Sequence, residues 1–470
     1  MAYLIGVFVY LAILLAVGWW SSRKVQTGDD FLVAGRGLGL PVMVGTLLAT
    51  WIGSGSIIAG AGLAYRKGFS ALWFDVGVWA GILLLAFIAP RVRRFAGYTV
   101  ADILEARFGP ASRIMGSLVV IVAYTAIASY QFKAGGMVLN VVTGISAETG
   151  MIITAAVAIL YTVLAGLISV SYTDLVNGIV IIFAILFATP LLFVSVGGTA
   201  GLRASVPPEH FQVFGTMSPL EAFGYTIPTL LLLLGESNMY QRFYAARDVR
   251  TARRAVWWWV GGTVVVETAI VLLAVLARAG FPEINPETAI LQAARYGLPT
   301  AAGILLLAAV VAIIISTADS FLLAPATSIM HDFYRRFINP DASDRTLLVG
   351  SRVVVVLLGL LAFIQGRFFE TVLAMAIYAY TVYGCGLTPT LMAAFFWRRA
   401  TGVGAVSAIF TGLVVTIVWE ASGKPLGLPT VYPALMLSVA ALVLGSFLGG
   451  REEVRGSIGE EIVFGRSEGR

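Results

Sequence analysis

Within IIISTADSFLLAPATS, residues 313–328, the side chains of Ser316, Thr317, Asp319 and Ser320 bring hydroxyl and carboxylate oxygens onto little more than one helical turn. Such oxygens are hard donors, suited to a small cation such as Na⁺. The alternative is local: Ser and Thr hydroxyls often bond back to the preceding turn. A carboxylate two residues beyond Thr317 weakens that alternative. A second stretch, ATWIGSGSIIAGAGLAY at 49–65, sets glycines and serines where a lipid-spanning helix gains most from regularity. Unwinding there frees backbone carbonyls, such as those of Ala49 and Ile52. Non-helical backbone at membrane depth is tolerated only where protein or a wet cavity satisfies it. A cation is one such partner; close packing of helices through small residues is the competing reading. Together the two stretches favour one ion site, shared between freed carbonyls on one helix and hydroxyls on another.

Further ionisable residues fall inside apolar segments: Lys133, Glu236 and Glu267, with Asp174 just inside its segment and Asp75 near the outer end of another. Such residues are expensive in a membrane and usually functional. Each also has a structural reading. Lys133 could snorkel, Glu267 could pair with Lys133, and Glu236 stands a few residues before the cytoplasmic QRFYAAR, which places it near the interface. The single cysteine, Cys385, falls in an apolar segment and allows no disulfide framework within one chain. His210 and His331 fall in loops and read as surface histidines. No motif joins a nucleophile to a base, and the intramembrane carboxylates lack metal-ligand spacing, so the chain does not read as an enzyme.

The elements that must position these groups are membrane helices. The 470 residues are 59% apolar and 12% charged, against about 25% charged in a soluble domain. About thirteen segments are long enough to cross a hydrocarbon core of roughly 30 Å: 1–20, 39–65, 70–95, 114–143, 149–168, 173–196, 220–241, 255–279, 298–330, 346–366, 369–397, 401–421 and 430–450. They do not alternate, which excludes a β-barrel. The net charge of +6 gathers between segments, where it faces an anionic membrane surface. No basic stripe with interleaved aromatics points to nucleic acid. The opening MAYLIGVFVYLAILLAVGWWSSRK lacks a basic leader and a cleavage site and reads as the first span.

Alternate loops differ in charge. One set holds Arg23, Lys24 and Arg36, then Arg91 to Arg113, Arg242 to Arg254, Arg335 to Arg345, and Arg398 with Arg399. The other holds few basic residues, among them Arg66, Lys67, Arg203 and Lys424. Positive-inside bias makes the first set cytoplasmic, the N-terminus outside and the C-terminus inside. The outer loops near 197–219 and 280–297 are expected to carry short surface helices. REEVRGSIGEEIVFGRSEGR reads as a mobile tail, too short for a signalling domain.

The chain resembles the sodium/solute symporter family, which contains proline and pantothenate permeases and sodium–glucose cotransporters. The resemblance runs through DDFLVAGRGLG (29–39), ATWIGSGSIIAGAGLAY, GYTVADILEARFG (97–109), YQFKAGG (130–136), AGLISVSYTDLVNGIVI (165–181), QRFYAARDVRTARR (241–254) and ISTADSFLLAPATSIMHDFY. It implies an all-α polytopic membrane protein of the LeuT type, with inverted repeats over 39–196 (spans 2–6) and 197–397 (spans 7–11). Residues 1–38 would form the first span and a cytoplasmic loop, 398–450 two C-terminal spans, and 451–470 the tail. It implies sodium-coupled symport of a small organic solute, an amino acid or organic acid, with Na⁺ as coupling ion and no other cofactor. Proton coupling on the same fold is the nearest alternative; a channel or a membrane sensor lies further off.

Carried across by position, the family's sodium site falls on the backbone of Ala49, Ile52 and Ile313 and the hydroxyls of Ser316 and Thr317. Asp174 matches an aspartate tied to ion release, and Asp319 with Ser320 occupies positions that hold a second cation in some members. Ser54, Ser56, Asp75 and Gln131 fall where relatives contact solute, and Lys133 could face a substrate carboxylate. Sugar-transporting relatives place aromatics in the seventh span, where this chain has IPTLLLLLGES.

Overall fold

Apolar runs punctuated by glycine, proline and charged loops form helices almost throughout, because a backbone in hydrocarbon must satisfy its own N–H and C=O groups. The computed structural model describes residues 2–22, 33–95, 97–164 and 167–449. Arg23, Lys24, the first residues of the 29–39 motif, and the 451–470 tail lie outside them. The first half contains α1 (Ala2–Ser22), α2 (Leu40–Trp51), α3 (Ala61–Lys67), α4 (Leu72–Phe95), α5 (Val100–Phe108), α6 (Pro110–Thr143), α7 (Ala147–Leu164), α8 (Leu167–Ser195) and α9 (Gly198–Ser205). The second contains α10 (Pro219–Gly235), α11 (Ser237–Ala245), α12 (Val249–Gly280), α13 (Thr300–Thr327), α14 (Asp344–Gln365), α15 (Val372–Gly386), α16 (Thr388–Phe396), α17 (Gly402–Ala421) and α18 (Val431–Leu448).

Ten helical stretches among the described residues are long and apolar enough to cross a membrane. Two expected segments differ from a plain span, each for a local reason. Residues 39–65 stop at Trp51, bend through Ile52 and Gly53, and resume as a wide π-type turn, Gly55–Gly60, before α3. Residues 220–241 stop at Gly235, turn at Glu236 (φ −63°, ψ 116°) and restart as α11. The second and third segments join at Gly68, whose φ of 71° and ψ of −147° favour glycine. A Cβ there would collide with the backbone of His210.

The broken helices sit at the centre. α2 packs on α8 and α12; α4 packs on α10 and α12; α13 packs on α6 and α8. α15 touches both breaks, through α10 and through the Gly55–Gly60 turn. α17 and α18 pair with each other at the periphery.

The GYTVADILEARFG loop is α5. Thr99 starts it with a capping box, Tyr98 and Thr99 N–H donating to Asp102 Oδ2 at 2.8 and 3.0 Å. Arg113 bonds Asp102 and Glu105, and Arg336 bonds Glu105 at 2.9 Å, tying α5 to the end of the ninth segment. Burial alone would raise the Glu105 carboxyl, but Arg113 and then Arg336 hold it below the ordinary carboxylate range. The expected loop histidines are corrected here. His331 lies in the helical continuation Ser328–Ile338, its ring 4.8 Å from that of Tyr98. His210 is buried beneath Gly68, not on the surface. The loops near 197–219 and 280–297 do carry short helices, but Ala289, Ile290 and Leu291 of the Ala289–Gln292 helix are buried rather than superficial.

The Gly68 turn is testable by thermal unfolding in detergent. Gly68→Ala combines a left-handed backbone, which costs roughly 1–3 kcal/mol for a non-glycine residue, with the clash on His210, and should lower the melting temperature. Gly261→Ala, in α12 with nothing within 4 Å of the new Cβ, should match or exceed wild type. Equal melting temperatures for the two variants would contradict the reading of this turn.

Candidate functional site

A continuous helix would have Gly53 N–H donate to the Ala49 carbonyl and Ser56 N–H to that of Ile52. Instead Gly53 N–H makes no bond to the Ala49 carbonyl, Ser54 N–H leaves Thr50 for Gln131 Oε1 at 3.2 Å, and Ser56 N–H moves to the Gly53 carbonyl at 3.2 Å, which also takes the ordinary helical bond from Ile57 N–H at 3.1 Å. The Ala49 and Ile52 carbonyls are thereby released from the ladder. Gly53 faces α13: a Cβ built on it lies 3.1 Å from Thr317 Oγ1 and 3.0 Å from Gln131 Nε2. Thr317 Oγ1 is buried and has no hydrogen-bond partner. The hydroxyl cluster and the loosened backbone thus adjoin, although 264 positions separate Gly53 from Thr317 in sequence. Ile313 stands one turn before Thr317 within the unbroken α13.

Ser316 turns toward α8 and donates to Asp174 Oδ1. Asp174 Oδ2 also accepts from Thr46 (2.7 Å), Thr50 (3.3 Å) and Arg242 Nη2 (3.2 Å). Arg242 donates further to Thr46 Oγ1 (2.8 Å), Ser320 Oγ (3.0 Å) and the Asn238 carbonyl (3.2 Å). Both charged side chains are 0% exposed. The sequence reading put Arg242 in a cytoplasmic loop; that is corrected. The restart at Ser237 draws the whole of SNMYQRFYA inside, every residue of it buried. The signal was present in the aromatic residues flanking Arg242, which suit burial better than a loop.

The remaining intramembrane charges separate by partner. Glu267 accepts from Trp51 Nε1 (2.9 Å), Trp79 Nε1 (2.8 Å) and Ser56 Oγ (3.5 Å). It does not pair with Lys133. The Lys133 ammonium instead donates to the Phe369 and Glu370 carbonyls at 2.5 and 2.6 Å, ahead of α15. That orientation gives no support to a contact between Lys133 and a substrate carboxylate. Asp75, buried in the first turn of α4, lies within electrostatic reach of Glu267. Asp319 is buried beside Thr162, near Asp174 and Arg242, and neither of its oxygens has a hydrogen-bond partner. Glu236 is 0% exposed, which corrects its expected place near the interface. Ser54 Oγ and Gln131 Nε2 are buried and unpaired beside the first break.

Further contacts involve Tyr65 and Glu287. Tyr65 donates to the Phe281 carbonyl and accepts from Arg278 Nη1 (3.3 Å) and Ile284 N–H (3.4 Å). Glu287 accepts the Val372 and Leu373 N–H groups that open α15, at 3.1 and 2.9 Å.

Known proteins share this fold. A family model for the sodium:solute symporter family matches residues 31–412. The osmoregulated proline transporter OpuE of Bacillus subtilis (strain 168) is 27% identical over 469 residues, covering 95% of this chain and 94% of that protein. The sodium/proline symporter of Escherichia coli (strain K12) is 27% identical over 467 residues, covering 94% and 92%. A solved Na⁺-coupled sialic acid symporter, substrate-bound and outward-open, superposes with a TM-score of 0.83 at 18% identity, over 95% of this chain and 98% of that one. MhsT in complex with L-phenylalanine superposes with a TM-score of 0.52 at 14% identity, over 88% and 98%. At these identities the structural likeness is one of fold.

The buried pair is open to a double-mutant cycle read by thermal unfolding. Arg242→Met strands the Asp174 charge and should cost about 3–5 kcal/mol. Adding Asp174→Asn should restore much of that loss, giving strong coupling. Losses that simply add would mean the two side chains do not depend on each other.

Proposed function

Because this chain belongs to the sodium:solute symporter family and has its LeuT-type fold, we propose that it couples sodium entry to uptake of a small amino acid by alternating access. It is a multi-pass protein of the cell membrane and a symporter of a small solute. Proline is the first candidate solute, because relatives alike over nearly their whole length carry proline. One observation carries the sodium reading: a buried, unpaired Thr317 hydroxyl beside a backbone break that releases two carbonyls.

In this reading sodium enters from outside and is held by the carbonyls of Ala49, Ile52 and Ile313 and the hydroxyls of Ser316 and Thr317. Ser316 can give its proton to Asp174 and still offer a lone pair to the ion. Holding the ion ties the α2 break to α13 and orders Ser54, Ser56, Gln131 and Asp75 around the solute cavity. Coupling is mutual: sodium tightens solute by the factor with which solute tightens sodium, typically 1–3 kcal/mol or roughly 5–150-fold. A membrane potential adds about 2.3 kcal/mol per charge per 100 mV. Inward release requires α11 to carry Arg242 away from Asp174, which leaves that carboxylate free to receive the departing ion. The unpaired Asp319 oxygens, with Ser320 and Asp174 nearby, favour a second cation there, sodium or a proton.

The repeats run over 39–196 and 197–397, so that the α2/α3 and α10/α11 breaks correspond. Residues 1–38 and 398–450 flank them, followed by the 451–470 tail. The N-terminus lies outside and the C-terminus inside, as the arginine-rich loops require.

Proline uptake into proteoliposomes tests the reading. An inward sodium gradient should drive accumulation, and a potassium gradient of equal strength should not. Ser316→Ala combined with Thr317→Ala should abolish the sodium stimulation while the protein still inserts and purifies. Full sodium dependence in that double variant would remove the site.

A further inference from the structure

The second break poses a problem that the sodium site does not answer. Glu236 sits between α10 and α11, 0% exposed, and neither carboxylate oxygen has a hydrogen-bond partner. Asn238 is the polar side chain beside it and the donor nearest to hand within the chain, but no hydrogen bond of ordinary geometry joins the two. The nearby cation, Arg242, is held by Asp174, Thr46, Ser320 and the Asn238 carbonyl. Lys133 is held by the carbonyls ahead of α15. A carboxylate buried in this way, with no donor, is strongly disfavoured. A proton, or a cation or donor from outside the chain, can meet that cost.

The surroundings indicate what kind of group that is. Tyr124, Tyr130, Tyr380 and Tyr383 all lie near enough to feel the charge of Glu236. Tyr124 and Tyr383 stack at 5.3 Å, and their hydroxyls accept the Asn238 and Ser237 N–H groups that restart α11. Tyr130 and Tyr380 join hydroxyls at 3.1 Å, and Tyr380 lies directly against Gly55 in the first break. This aromatic group therefore bridges the two breaks. Hydrated oxygens suit sodium, whereas a carboxylate among aromatic rings suits an organic ammonium, which gains from both. At the first break, Gln131 Nε2 and Ser54 Oγ are unpaired groups able to donate to an acceptor on the same solute.

We propose that Glu236, at the α10/α11 break, is the receptor for a cationic nitrogen of the transported solute, with the surrounding tyrosines forming the walls. The solutes selected are ammonium-bearing, and nitrogen-free carboxylates and sugars are rejected. This assignment rests on the proposed reading that the breaks border the solute cavity. It replaces Lys133 as the charge that sorts solutes and reverses the sign of the group sorted.

Thermal stabilisation of the purified full-length protein, with sodium chloride or potassium chloride at equal strength, tests it. The probes are L-proline, glycine betaine, choline and L-lysine against cyclopentanecarboxylate, pyruvate and glucose. Sodium alone should stabilise, and one or more nitrogen cations should add sodium-enhanced stabilisation that no nitrogen-free probe matches. In Glu236→Gln the apparent affinity of the stabilising probe should fall about tenfold or more, close to 1.4 kcal/mol. Stabilisation by sodium alone then reports that the variant is folded. A nitrogen-free probe as the best stabiliser overturns the assignment without any variant, and so does unchanged affinity in Glu236→Gln. If sodium enhances no probe at all, the symport reading fails and this assignment fails with it.

Discussion

Away from water, every main-chain N–H and C=O that a helix releases must be met by another partner. This molecule releases such groups twice within its buried core, at Ile52–Gly53 and at Glu236. The first break is met partly by Gln131, which takes the Ser54 N–H. The second is met partly by Tyr383, which accepts the Ser237 N–H and donates to the Gly235 carbonyl. What neither neighbour supplies is a partner for the freed Ala49 and Ile52 carbonyls or for the Glu236 carboxylate. Those gaps are the places proposed for the ion and the solute.

Charge follows the same logic. Asp174 and Arg242 are fully buried, yet each is bonded on several sides by Thr46, Thr50, Ser316 and Ser320. A buried pair without such support would lose more by desolvation than it gains by attraction. The network joins α2, α8, α11 and α13. Glu267 is handled differently, through indole N–H groups of Trp51 and Trp79. Glu236 and Asp319 have no comparable protein partners. The centre therefore holds more acidic than basic side chains.

Much of this was legible in the sequence. Long apolar runs require helices, and GSGS in the middle of one marks a weak helix for the same steric reasons that the structure displays. The STADS cluster was legible because hydroxyls and a carboxylate are rare neighbours in hydrocarbon. Depth was harder to read. Glu236 and Arg242 stand close to a basic loop, and sequence position alone placed both near the surface. The restart of α11 at Ser237 carries them inward, and a turn at Glu236 is visible only once the backbone is. Direction was also hidden: Gln131 and Lys133 are two residues apart on α6 and face different partners, one the first break and the other the loop ahead of α15. Indole donors to Glu267 come from α2 and α4, distant elements that periodicity cannot bring together.

The central claim is that sodium joins the loosened stretch at 49–56 to the hydroxyls of α13. Amide hydrogen exchange on purified protein, in sodium chloride against potassium chloride at equal strength and without solute, reads this most directly. The account predicts that sodium slows exchange together in peptides covering 49–56 and 313–320 and leaves those of α17 and α18 unchanged. Exchange at 49–56 that is indifferent to sodium would contradict it.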